Sequence, residues 1–138
     1  MKNTAAWGCL HDGSLDEAHG AVPGDVSLLV SIPYLRSAFH PDGDGFVLTL
    51  RGCTLFRLEG HDGAVLEDPR EIAGRTPELL SIVSEVPLVI YTTLGTLTLA
   101  YRALELGLDT GQTISVQALD EASCNYWQAW SEQRGGRA

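Results

Sequence analysis

The chain has 138 residues, with 18 Asp and Glu against 9 Lys and Arg and a formal net charge of −9. A chain of ~100–150 residues buries about two-thirds of its unfolded surface, so a single domain with a real core is expected. An apolar fraction of 44% with 20% charged residues excludes a disordered acidic tail or a fibre. The acid excess also argues against nucleic acid or an anionic membrane as partner, because both need a positive face.

Residues 26–32 alternate with period two, placing Val26, Leu28, Val30 and Ile32 on one face, and predict a strand that Pro33 terminates. His40-Pro-Asp-Gly-Asp-Gly45 then supplies turn formers. Residues 46–59 read as one long strand, with Phe46, Leu48, Leu50, Thr54, Phe56 and Leu58 on one face. Thr49, Arg51, Arg57 and Glu59 take the other, and Gly52 marks a bulge or bend. His61-Asp-Gly63 is a further turn, and residues 64–78, with Asp68-Pro69 and Thr76-Pro77, predict an irregular, exposed excursion. Ile82, Val83 and Pro87 favour a strand over 79–86 in place of a short helix. Residues 88–94 and 96–102 form a hairpin around Gly95.

The period changes at the C-terminus. Val116, Leu119, Ser123, Tyr126 or Trp127, and Trp130 recur at helical spacing, with Asp120 and Glu121 suited to the positive helix end. The fold class expected is mainly β (α+β): an antiparallel sheet, curved or doubled into a sandwich, with one C-terminal helix over about 116–133. Residues 1–133 form one domain and 134–138 a frayed tail.

The first twenty residues have no apolar core behind a basic start, and the uncharged stretch 86–101 is shorter than the ~20 residues that span a bilayer. A cytoplasmic protein with reduced, mostly buried thiols at Cys9, Cys53 and Cys124 is expected. Cys53 lies near Arg51, a cation able to activate a thiol, yet no histidine is close in sequence, which favours a structural cysteine.

Every histidine has an acid nearby: His11-Asp12, His19 with Asp16 and Glu17, His40 with Asp42, and His61-Asp62. Turn formation explains most of these pairs, and His11 with Asp12 is the one set worth testing as a metal or acid–base site. Asp42-Gly-Asp-Gly45 fails as a calcium loop, because Arg51 occupies the place of the bidentate Glu. Nucleophile-elbow, P-loop, dinucleotide and zinc-protease motifs are absent from the sequence. Tyr126, Trp127 and Trp130 span more than one helical face. Core packing is expected to take at least two of the rings, with one left as a binding anchor.

Trp7-Gly-Cys-Leu-His-Asp-Gly-Ser-Leu15 resembles the L-H-D-x-x-L opening of several groups of small bacterial β-rich proteins. Tyr126-Trp127-Gln-Ala-Trp130 is similar to the aromatic helix that ends some of them. Part of that group consists of immunity proteins, encoded beside polymorphic toxins that they neutralise. The resemblance implies a non-enzymatic, partner-binding role and transfers no catalytic residue.

The functional expectation is therefore a non-catalytic protein without cofactor that binds a basic protein such as a toxin. Its partner surface would draw on Tyr126, Trp127, Trp130, Asp12, Asp16 and Glu17, within an acidic rim that also holds Asp42, Asp44, Asp62, Glu67 and Asp68. One alternative is a small-ligand or metal-binding protein or hydrolase using His11 and Asp12. Another is a homodimer closed by the aromatic face.

Overall fold

The computed structural model describes residues 4–135. Its strands are β1 (Ser14–Gly20), β2 (Gly24–Ser31), β3 (Gly45–Cys53), β4 (Leu55–Gly60), β5 (Val65–Leu66), β6 (Leu79–Glu85), β7 (Leu88–Thr92), β8 (Gly95–Ala100) and β9 (Ala103–Leu108). The helices are α1 (Thr4–Cys9), α2 (Pro33–Arg36), α3 (Pro69–Gly74) and α4 (Val116–Gly135). The strands form two antiparallel sheets, ordered β1-β2-β3-β9 and β5-β4-β8-β7-β6. The doubled antiparallel architecture with a C-terminal helix is the one the sequence predicts. Of the tail expected over 134–138, the helix takes 134 and 135, and 136–138 lie outside the described residues.

Alternation builds each sheet's inner face. Val26, Leu28 and Val30 of β2 join Phe46, Leu48 and Leu50 of β3, while Phe56, Leu58, Ile90, Leu97 and Leu99 line the second sheet, all in one buried core. Among the described residues no helix is long and apolar enough to cross a membrane.

The long strand expected over 46–59 is two strands in different sheets. Gly52 adopts φ +62, and a Cβ there would crowd Arg102. β3 ends one residue later and β4 starts at Leu55 in the other sheet, leaving Thr54 exposed and not on the inner face. The same bend turns Cys53 fully inward, against the outward face its spacing from Arg51 suggests. The chain returns at the same corner between β8 and β9. There the Thr54 N–H donates to Ala100 O at 2.9 Å and the Arg102 N–H to Arg51 O at 2.8 Å.

Residues 64–78 also depart from expectation, because α3 buries Pro69, Ile72 and Ala73 against β1 and β4. Asp68 caps this helix by accepting from the Arg70 N–H, and Pro69 opens it. At the head of α4 the cap is Ser115, whose hydroxyl accepts from the Ala118 N–H at 3.0 Å; Asp120 and Glu121 lie beyond the first turn. Period two does not mark β1, since a bulge between Leu15 and Glu17 breaks its alternation. β9 does carry a legible signal in Leu104, Leu106 and Leu108.

The side chain of Arg36 has 0% exposure. Its Nε donates to Asp109 Oδ1 at 3.0 Å and Gly45 O at 3.1 Å, and its Nη2 to Thr110 Oγ1 at 3.3 Å. Asp109 Oδ2 accepts from the N–H groups of Asp44, at 2.9 Å, and Gly45, at 3.2 Å. Partial burial opposes ionisation of Asp109, but the Asp44, Arg36 and Gly45 donors outweigh it and hold the carboxyl below the usual range. A Cβ on Gly43 would overlap both Asp109 and Arg36, so the loop passes over the pair only as glycine.

Asp109→Ala should cost about 3 kcal/mol in urea unfolding, the lower end for a broken buried pair, since the Asp109 side chain is 20% exposed. Gly43→Ala should cost about 1–3 kcal/mol by overpacking, whereas the exposed change Glu67→Gln stays within about 0.5 kcal/mol. Because the folded-state carboxyl titrates below its unfolded value of about 4, its contribution is complete above that pH and fades as pH falls further. The stability gap between wild type and Asp109→Ala should therefore stay level above about pH 5 and close in acid; a gap independent of pH down to about 2 contradicts the assignment.

Candidate functional site

The turn after α1 places the first part of the site. Leu10 and Leu15 are buried, and Asp12 between them takes φ +70. Its N–H donates to Leu79 O at 2.7 Å, while the Leu79 N–H donates to Gly13 O at 2.8 Å, tying the turn to the head of β6. The leucines of the L-H-D-x-x-L string thus pack in the core and the Asp12 backbone ties the turn, while the Asp12 side chain is exposed and His11 is half-buried. Its Nδ1 lies 2.9 Å from Gly8 O, its Nε2 is 3.8 Å from Asp12 Oδ2, and its ring stacks on Trp127 at 5.4 Å.

α4 supplies the rest. Leu119 and Ser123 are buried, and Val116 and Ala122 pack partly against the core. Cys9 of α1 donates to Asp120 at 3.7 Å, which pins α1 on α4. One turn beyond Ser123 the helix presents Tyr126, Trp127 and Trp130. None of the three enters the core: Tyr126 is 36% and Trp130 43% exposed, and Trp127 is half-buried. This corrects the expectation that core packing takes at least two of them. α1 and α2 are short, and past Ser123 the helix meets Tyr34 of α2 and His11.

Those contacts make a continuous aromatic face. Tyr34 lies 4.4 Å from Tyr126 and 5.8 Å from Trp127, and Trp127 is 5.1 Å from Tyr126 and 5.8 Å from Trp130. Tyr34 is the residue sequence reasoning missed; only its place just inside Pro33 could have hinted at it. Burial, then the charge of Asp12, pushes its phenol up to about 12, so it stays protonated and donates to His11 O at 3.3 Å. The Trp127 Nε1 is buried without a hydrogen-bond partner among the described residues.

Two depressions flank the face. Between α2 and α4 runs an open groove of about 460 Å³, walled by Tyr34, Phe39 and Tyr126 and edged by Glu121 and Asn125. Towards β6 a smaller cleft of about 260 Å³ lies between Trp7, Gly8 and His11 on one side and Leu80 and Ile82 on the other.

The other sequence candidates lie apart. Asp16 accepts from the hydroxyls of Ser14, at 2.6 Å, and Ser31, and with Glu17 and His19 it borders a shallow depression against α3. His40 is exposed in the loop after α2 and His61 in the turn after β4. Asp62 accepts from the Ala64 N–H at 2.9 Å, and Asp42, Asp44 and Glu67 are exposed. Among the described residues no group of three His, Cys, Asp or Glu side chains is placed to hold a metal ion.

Burial, then the charge of Asp120, pushes the Cys9 thiol up to about 11, and burial also raises Cys53. Comparison of the chain with protein-family models, characterised proteins and solved structures finds no match.

A disulfide reagent at neutral pH should modify Cys124 rapidly in the native protein, and Cys9 and Cys53 only after unfolding. A fast native reaction at Cys9 would contradict the packing of α1 on α4, and one at Cys53 the inward turn at the sheet corner.

Proposed function

We propose that this chain is a non-catalytic protein-binding domain whose aromatic face docks a basic protein partner, of the toxin-neutralising kind that its resemblance implies. The observation that carries the reading is the exposure of Tyr126 and Trp130 over a bed of Trp127, Tyr34 and His11. Large rings left on a surface are the usual anchors of protein interfaces. Charge supplies the partner's sign. The stretches 4–12, 33–39 and 116–132 carry Asp12, Asp120, Glu121 and Glu132. Their one Lys or Arg is the buried Arg36, with Lys2, Arg134 and Arg137 lying outside them. Such a face attracts a cationic protein and repels a second copy of itself.

The test is titration calorimetry of the chain against the protein encoded by the adjacent gene, which the reading requires to be basic, at low and physiological salt. A complex is expected that weakens with salt and loses about 30-fold in affinity or more on Trp130→Ala, the size of an interface hot spot. Absence of a complex at low salt, or a complex indifferent to both Trp130→Ala and Tyr126→Ala, overturns the reading.

A further inference from the structure

The groove between α2 and α4 has a composition that the wider aromatic face lacks. Tyr34 and Tyr126 stand 4.4 Å apart at its mouth with their planes tilted by 34°, and Phe39 closes the far wall. Ala118 and Ala122 of α4 also line it, and their small side chains take up little of its space. On the rim, Glu121 offers a carboxylate of which one oxygen accepts from Gln117, and Asn125 adds an amide. At about 460 Å³ the groove falls within the ~300–1,000 Å³ typical of ligand sites.

We propose that this groove is the receptor for an arginine side chain of the basic partner; the inference rests on the protein-binding reading and names the chemistry of that site. A guanidinium is planar and weakly hydrated, so it can lie on a tyrosine ring while its N–H fork reaches a carboxylate and an amide carbonyl at the edge. Tyr34, Tyr126, Glu121 and Asn125 supply those partners. A lysine ammonium, more strongly hydrated and without a flat face, uses the carboxylate but gains less from the rings. A second copy seated face to face is the poorer occupant, because the stretches around the groove bring acids and no exposed Lys or Arg. A copy that instead presents Arg57, Arg70, Arg75 or Arg102 would show as concentration-dependent self-association of the free chain, which overturns the assignment to a partner.

The probe is a blocked Gly-Arg-Gly peptide, with lysine and citrulline counterparts, followed by NMR on the full chain through the Asn125 side-chain amide and the Tyr34 and Tyr126 ring protons. The arginine peptide should shift these signals saturably, the lysine peptide should bind at least about 5-fold more weakly, and the citrulline peptide should leave them unmoved. Glu121→Gln should weaken the arginine peptide about 5-fold to 10-fold. Glu67→Gln, a surface charge change elsewhere, should not. Equal shifts from arginine and lysine, shifts spread evenly over other acidic loops, or indifference to Glu121→Gln would each overturn the proposal. The two readings separate cleanly. A partner complex sensitive to Trp130→Ala but not to Glu121→Gln removes the groove and keeps the docking face. Arginine capture without any partner complex removes the docking function and keeps the groove.

Discussion

A guanidinium with no access to water can persist only where carboxylate and carbonyl oxygens replace its hydration, and Arg36 meets that demand through Asp109, Gly45 and Thr110. The demand fixes more than one ion pair. α2 ends at Arg36, β3 begins at Gly45, and Asp109 and Thr110 directly follow β9, so the pair holds the ends of three elements in one place. Tyr34 lies two residues before Arg36 and is carried by the same helix. One wall of the aromatic groove is therefore set by a buried charge behind it.

The second constraint is the corner at which the chain passes between sheets. β3 and β9 are neighbours in one sheet, β4 and β8 in the other, and both crossings occur within a few residues of Gly52 and Arg102. Backbone hydrogen bonds between the two crossings keep their polar groups satisfied where neither ladder continues. Arg51 adds ion pairs to Asp25 and Glu105 at 2.8 Å on the outer surface, where salt and solvent leave them little weight. The glycine does the structural work here.

Hydrogen bonding and position set some of the acids apart. Asp16, Asp62 and Asp68 accept hydrogen bonds from nearby hydroxyls or backbone N–H groups, so they shape turns and a helix start. Asp12, Asp120, Glu121 and Glu132 instead lie on or near the helices that carry the exposed rings, in stretches without an exposed Lys or Arg. That local excess of acid beside the rings is the ground for reading the face as one suited to a cationic partner.

Local periodicity was enough to make β2, the β7–β8 hairpin and α4 legible, because one period of two or 3.6 residues decides which side chains face inward. Composition likewise sufficed for the acid excess and for an apolar fraction large enough to build a core. Other features depended on contacts across the fold. The strand read from 46 to 59 bends at Gly52, as the glycine suggested, but that the bend carries it into a second sheet depends on the pairing of β4 with β8, some forty residues later. α3 starts on a local signal, Asp68-Pro69, but its burial depends on the apolar seat that β1 and β4 offer it. The helical spacing of Val116, Leu119 and Ser123 runs on into Tyr126 or Trp127 and then Trp130, yet whether rings are buried depends on what lies opposite them. α1 and α2 end too soon to cover them. Sequence by itself determined the elements whose burial repeats along the chain; tertiary structure decided what each face meets, because burial is a property of two surfaces and the sequence of one element describes only its own.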